Sequence, residues 1–455
     1  MESQKTTNNN RLITEGPITR TLIKLALPVT LGMLMEVALS TTHYFWLGKL
    51  GPTAQDAITS SMIVIWTVIA STSIVSVGIT ALVSRNVGAG NQDTAAYFIK
   101  QGLALAVIVG LIAGVAGNLF SKPLLVFMKA SDETIRLGTP YLRIFFAAAV
   151  LLYILETCYA SLRASGNTKT PALIGMMVVT INLVLDPLLI FGIGPFPKLG
   201  VTGASIATAT AYLIGAATSL TLIYRGKLGY PAPSFKPLML SLKDMLKIVR
   251  IGLPMSGHQL VFVIVYWFLI MIVHRFGESA GAAMGIGNRM ESFSYMLCQG
   301  ISLAASAMVG QNLGAKKPDR AARSAWQAVG LGLIVTFGVS IFFLTLSSSI
   351  ASVFSNSPEV IKIAKDYLVI LALSQFTMAV EIILEGAFAG AGDTIPPMVA
   401  MLPFHLLRIP LAYYLCFVLG WGINGVWWTL TITTTIKAII LALWFKRGKW
   451  KEKVL

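Results

Sequence analysis

Within an almost wholly apolar stretch, INLVLDPLLIFG at residues 181–192, the chain places Asn182 and Asp186. A spacing of four sets both side chains on one face of a helix. A carboxyl in apolar surroundings is costly and is a functional candidate by default. Asp186 could carry and release a proton, or hold Na⁺ with the Asn182 amide oxygen as a second hard ligand. Pro187 comes next; it has no N–H and clashes with the carbonyl four residues back, that of Leu183. The helix is therefore expected to break or kink beside the acid, giving a pivot. The alternative reading is a carboxyl that only hydrogen-bonds neighbouring helices. Further groups that could serve the same chemistry are Glu36, His43, Glu156 and Thr208. His43 titrates near neutrality, and Glu36 lies two turns away on its helix face. Glu156, with Tyr159 one turn on, faces a cavity or pairs with Arg163. Thr208 offers an extra oxygen.

These residues need elements to hold them, and composition says which. Of 455 residues 55% are hydrophobic and 12% charged, with mean hydropathy +0.75; soluble domains carry about 25% charged residues. Apolar runs of roughly 20 residues, long enough to cross a bilayer core of about 30 Å, recur throughout. They predict an all-α membrane protein with twelve transmembrane helices. The first six lie near 20–48, 58–83, 96–120, 135–163, 169–194 and 202–224. The second six lie near 246–275, 281–308, 321–347, 360–388, 395–419 and 424–445. The net charge of +16 falls mainly in alternate loops, which argues against nucleic-acid binding. By the positive-inside rule both termini are expected in the cytoplasm, in a multi-pass plasma-membrane protein. The N-terminus does not read as a cleavable signal. Cys158, Cys298 and Cys416 lie in separate apolar runs and read as buried free thiols.

The chain also repeats itself at an offset of 226: LALP (25–28) on IGLP (251–254), KLG (49–51) on RFG (275–277), ALVSRNVGAGNQDTAA (81–96) on AMVGQNLGAKKPDRAA (307–322), and LRASGNTKTP (162–171) on FAGAGDTIPP (388–397). Six spans per half is an even number, so both halves enter from the same side as a parallel repeat, the arrangement of two-lobed transporters. The expected organisation is an N-terminal lobe at 1–225, a cytoplasmic linker at 226–245 and a C-terminal lobe at 246–455.

Taken in order, TEGPITRTLIKLALP, VSRNVGAGN, LRASGNTKTPALIGMMVVTINLVLDPLLIFG, VGQNLGAKKPDRAA and FAGAGDTIPP resemble the multidrug and toxic compound extrusion (MATE) transporters of bacteria and archaea, across nearly the whole length. The resemblance implies a two-lobed antiporter that expels bulky, often cationic organic compounds while H⁺ or Na⁺ moves inward. It also implies that Asn182 and Asp186 contribute to cation coupling. The chain departs from the pattern at His43, where such members commonly carry an acid. A histidine cannot be an anionic Na⁺ ligand, and Glu36 is the candidate to supply the missing charge.

The second lobe does not copy this chemistry. The offset sets Arg408 opposite Asn182, Ala412 opposite Asp186, Leu269 opposite His43 and Phe262 opposite Glu36. The helix-seven acid of some family members would fall near Phe262 and is missing. The C-terminal lobe has instead Glu381, Glu385, His405 and Arg408, with His258, Arg289, Glu291 and Lys437. The two glutamates either attract cationic drugs or are neutralised by Arg408. Tyr266, Trp267 and Tyr295 are candidate cavity walls.

The expected activity is secondary active multidrug efflux by alternating access, with small organic substrates (drugs, dyes), membrane lipid as surroundings, a monomeric state, and no cofactor beyond the coupling ion. The alternative is a flippase for a lipid or lipid-linked precursor, which a strongly cationic cavity would favour. HExxH and Walker A patterns are absent, so an enzyme is not expected.

Overall fold

The computed structural model describes residues 12–50, 52–128, 130–225 and 240–455, with most side chains between 38 and 63 outside the description. The N-terminal half holds α1 (Ile18–Gly48), α2 (Pro52–Gly88), α3 (Gln92–Phe127), α4 (Asp132–Ala147), α5 (Ala149–Ala164), α6 (Lys169–Phe191) and α7 (Val201–Arg225). The C-terminal half holds α8 (Leu242–His274), α9 (Glu278–Gly314), α10 (Pro318–Phe354), α11 (Pro358–Ala391), α12 (Ile395–Tyr413, running into a π-helical turn, Tyr414–Val418) and α13 (Asn424–Lys446).

Local chemistry sets several of these ends. Ser131 and Ser241 accept the backbone N–H of Thr134 and Asp244 at 3.2 and 3.3 Å, capping α4 and α8. Pro318 and Pro358 sit in the first turn of α10 and α11. Gly192 and Gly392 close α6 and α11 in the left-handed conformation. The apolar order is that of a membrane protein. Large side chains such as Leu111, Val115 and Leu119 on α3, and Ile334, Phe337 and Ile341 on α10, point outward. Ala, Gly and Ser dominate the buried face of α9.

Eleven of the described helices are long and apolar enough to cross a membrane, and the bent pair α4–α5 makes the twelfth span. Here the expected single helix at 135–163 is corrected: it turns by 48° around Ala148. The cause lies on α3. Gly110, Gly114 and Gly117 face this joint, and a Cβ on them would strike Val150, the Phe146 carbonyl and the Phe146 ring. Their missing side chains let the Phe146 ring press into α3 where a straight span would pass by. Other helices extend past their expected ends, α2 for instance reaching from Pro52 to Gly88.

The internal repeat is visible in the backbone. Left-handed corners occur in pairs 226 residues apart: Gly90 and Lys316, Gly166 and Gly392, Gly194 and Gly420. The halves meet about a pseudo-twofold axis: α1 packs on α9, α8 on α2, and α2 on α9. Where α2 and α9 cross, a Cβ on Gly88 would fall on the Gln311 backbone, and one on its repeat partner Gly314 would fall on the Arg85 backbone. Beside that crossing, Arg85 Nη2 donates to the Ala391 carbonyl at 3.1 Å and Gln311 Nε2 to the Ala164 carbonyl at 2.7 Å. Both carbonyls are the last of their helices and have no partner within them. Each lobe thus caps a helix of the other.

The same end gathers the N-terminal segment and the tail. Lys317 Nζ and Arg320 Nη2 donate to the Thr14 and Ile13 carbonyls, both at 3.2 Å. Lys451 pairs with Asp319 at 2.9 Å and Lys453 with Asp393 at 3.3 Å. The first described residues and the C-terminal tail therefore lie at one end of the bundle, called here the basic end. The linker expected at 226–245 falls largely outside the described residues.

Gly88→Val is expected to cost about 1–3 kcal/mol, the range for overpacking a tight contact. Gly330, with nothing within 4 Å of its Cβ position, is the control. Thermal unfolding in detergent should show a lower midpoint for Gly88→Val alone; equal midpoints would contradict the close crossing.

Candidate functional site

The N-terminal candidates fall into two groups. In the first, α6 packs between α1 and α7 and buries both polar residues of its apolar run: Asp186 is 0% and Asn182 5% exposed. Asn182 Nδ2 donates to Thr208 Oγ1 of α7 at 3.1 Å. Thr208 in turn donates to the Ala204 carbonyl. The Asn182 Oδ1 acceptor stays buried with no hydrogen-bond partner among the described residues. A desolvated carbonyl oxygen without a donor is the feature a cation or a bound proton donor would satisfy. His43 is on α1, and its side chain lies outside the described residues.

The expected break at Pro187 is corrected: α6 runs through it to Phe191. A proline removes one helical hydrogen bond, and packing on α1 and α7 holds the remaining turns in place.

In the second group, the charges that act on Glu36 are those of Glu156 and Arg163. Arg163 lies 3.9 Å from Glu156 and over the Tyr159 ring at 5.9 Å. The pairing alternative for Glu156 is therefore the one observed, and one guanidinium faces two carboxyls. Glu36 is exposed along α1 while Tyr159 is buried, its hydroxyl without a partner among the described residues. Tyr212 of α7 joins the group, close to both acids. Nothing in the sequence pointed to Tyr212, because its helix carries no charge pattern and its place depends on how α7 packs on α5.

The C-terminal lobe pairs most of its buried charges, while Glu381 Oε2, His405 Nδ1 and Gln375 Nε2 have no hydrogen-bond partner among the described residues. Lys437 Nζ, on α13, donates to Glu381 Oε1 at 2.6 Å, with side-chain exposures of 2% and 12%. His258 Nε2, on α8, is 3.0 Å from Glu385 Oε1. Of the two alternatives for these acids, an ion pair with Arg408 is not the one observed. Arg408 gives Nε to Thr433 Oγ1 at 2.9 Å and Nη2 to Thr434 Oγ1 at 3.1 Å, and it lies over the Phe262 ring. The register of α13 against α11 and α12 decides this, and periodicity on any one helix is silent about it. His258 and His405 stack with centroids 6.1 Å apart. Phe262, in the place of the absent acid, lies edge-on to His405. Tyr367 donates to Asn288 Oδ1 at 3.0 Å and stacks on Trp427 at 4.1 Å. Glu291 is within reach of Tyr367 and of the charges of Arg408 and Lys437.

Tyr295 is 42% exposed, Tyr266 packs on Phe262 and Trp267 lies beside Phe127 of α3. The three cysteines are buried and free. Among the described residues no three His, Cys, Asp or Glu side chains gather as metal ligands. The two lobes thus differ in electrostatics. Glu36, Glu156 and Asp186 outnumber Arg163 in one, while Glu291, Glu381 and Glu385 face Arg408, Lys437 and two histidines in the other.

Lys437→Met should cost about 3–5 kcal/mol, because it leaves Glu381 buried and unpaired. Adding Glu381→Gln should restore most of the loss. Unfolding midpoints of the two variants check this; a double variant as unstable as the single one would refute the pairing.

The MatE family model matches residues 28–188 and again 254–414, so each bound of the second match lies 226 residues after the first. The probable multidrug resistance protein NorM of Thermotoga maritima is 26% identical over 442 residues, covering 96% of this chain and 94% of that protein. The FAD transporter of Shewanella oneidensis is 29% identical over 414 residues, 90% of each chain. Among solved structures, a multidrug resistance MATE transporter of the MOP superfamily, in an outward-facing conformation, superposes with a TM-score of 0.91 at 21% identity, covering 98% of this chain and 99% of its own. A MOP superfamily transporter from Pyrococcus furiosus gives the same TM-score and identity; at that identity both show the fold. With both halves matched in order, this multi-pass membrane protein belongs to the MatE family of transporters.

Proposed function

We propose that the protein is a secondary active multidrug exporter that exchanges organic, mainly cationic, compounds for H⁺ or Na⁺ by alternating access. It works as a monomer in the plasma membrane, with both termini in the cytoplasm, lobes at 1–225 and 246–455, and no cofactor. The observation that carries the reading is the buried set on α6 and α7: Asp186 fully enclosed, and Asn182 Oδ1 desolvated without a partner among the described residues. An occupant that satisfies the Asn182 oxygen beside Asp186 changes the charge between α1, α6 and α7, and so biases the lobe between its two arrangements. Pro187, which leaves the Leu183 carbonyl free of its helical partner, is the hinge. His43 and Thr208 are further members of the coupling set. Glu36 and Glu156, balanced by one arginine, form the acidic wall that receives organic cations, with Tyr159 beside them. Glu381, Glu385, His405 and Arg408 line the opposite lobe.

The flippase alternative called for a strongly cationic cavity, and the pairing of Lys437 with Glu381 speaks against it. A second reading follows from the Shewanella relative: a flavin nucleotide, planar and phosphate-bearing, as substrate.

Ethidium efflux from proteoliposomes, driven separately by a pH and a Na⁺ gradient, tests the proposal. Wild-type protein should export under one gradient, and Asp186→Asn should reduce export to background. Export that survives in Asp186→Asn would move coupling to Glu36 or Glu156. Folded protein that moves flavin dinucleotide but no dye would favour the second reading.

A further inference from the structure

At the basic end a cleft of about 500 Å³ opens between the segment before α1 and the start of α10; Glu15, Lys316, Lys317, Asp319, Arg320 and Arg323 line it. Its charges do not cancel. Glu15 is taken by Lys317 at 3.6 Å and Asp319 by Lys451 of the tail at 2.9 Å. Arg320 Nη2 reaches the Ile13 and Gly16 carbonyls, and its buried Nε has no partner among the described residues. The side chains of Lys316 and Arg323 make no ion pair or hydrogen bond with the described residues, and Arg323 is close enough to Arg320 for the like charges to repel. Two arginines three residues apart share a helix face; Glu15 and Asp319 offset part of their repulsion, but each is already engaged by a lysine.

Two further observations single out this cleft from a merely basic loop. Lys316 has φ of 58°, the one non-glycine residue at positive φ among those described. Its counterpart in the other lobe is Gly90, at 81°, so a corner that glycine makes without strain is here made by a lysine. The repeat also provides an internal comparison. Where the C-terminal lobe has Lys316, Lys317, Arg320 and Arg323, the N-terminal lobe has Gly90, Asn91, Thr94 and Tyr97. The turn is common to both, and the four cations belong to one. The positive-inside preference would be met by lysines anywhere on the loop; it asks for neither a strained corner nor converging arginines. Moreover, α10 starts at Lys317 without a side-chain cap, so the positive end of a long helix dipole points to the same place.

We propose that this cleft binds a phosphate-bearing anion, the headgroup of an anionic phospholipid or a soluble phosphate. Guanidinium forks and an ammonium at a helix start are matched to phosphate oxygens, and basic pockets among span ends bind anionic headgroups.

The test uses the full chain in nanodiscs and reads the thermal unfolding midpoint, since a ligand that binds only the folded state raises it. Phosphatidylglycerol in place of phosphatidylcholine, or inorganic phosphate in place of chloride at equal ionic strength, should raise the midpoint. Lys316→Gly/Arg323→Gln should lose the rise while keeping its midpoint in phosphatidylcholine, where the lysine strain is relieved. Arg447→Gln/Lys449→Gln, which removes two cations from the tail, should keep the rise. A rise with phosphatidylglycerol alone assigns the site to lipid; a rise with inorganic phosphate as well assigns it to phosphate in general. No rise with either, a rise that persists in Lys316→Gly/Arg323→Gln, or an equal loss in the tail variant overturns the proposal. Should that double variant not fold, Arg323→Gln alone is read in the same way.

Discussion

The crossing of α2 and α9 on the pseudo-twofold axis is the constraint from which the rest of the architecture follows. Two helices of 37 residues each approach backbone to backbone only because Gly88 and Gly314 have no side chains where they meet. Without a strong hydrophobic drive between apolar helices in lipid, close packing and hydrogen bonds must hold the lobes together. Arg85 and Gln311 provide two of the hydrogen bonds, each giving a terminal carbonyl of the other lobe the partner its own helix lacks; Ser73 to Gln259 and Ser256 to the Ala70 carbonyl are others. Close contacts continue along α2 and α8, where Gly78 meets Ile248 and Gly252 meets Ile74.

Inside the lobes, the same solvent makes each buried polar group costly, and the two halves meet that cost differently. The C-terminal lobe matches acid to base, glutamate to lysine and glutamate to histidine, and backs Arg408 with two threonines. In the N-terminal lobe one arginine, Arg163, faces both Glu36 and Glu156, and the Asn182 carbonyl oxygen is unsatisfied among the described residues. Duplication has preserved the backbone, down to its left-handed corners, while the side chains that carry charge have diverged.

The strained lysine at the basic end follows the same logic. Lys316 takes at positive φ the corner that Gly90 takes in the other lobe, a conformation that costs a side-chain-bearing residue more than glycine.

Spans, the parallel repeat and the offset of 226 residues were all legible in the sequence, because hydropathy over a bilayer's thickness and a gapless register are properties of the chain taken in order. So were Asp186 and Asn182, since a carboxyl in an apolar run announces its own cost. The bend at Ala148 was not legible: its cause is a row of glycines on a different helix. Neither was the choice of Lys437 over Arg408 as the partner of Glu381, nor the presence of Tyr212 beside Glu36 and Glu156. Each depends on which face of one helix meets which turn of another, and residues far apart in sequence carry no local signal of that register. The chain alone determined that the molecule spans a membrane as two like halves with an acid inside the first. Tertiary packing decided which charges meet, because desolvation and Coulomb attraction act over a few ångströms of space, whatever the separation along the chain.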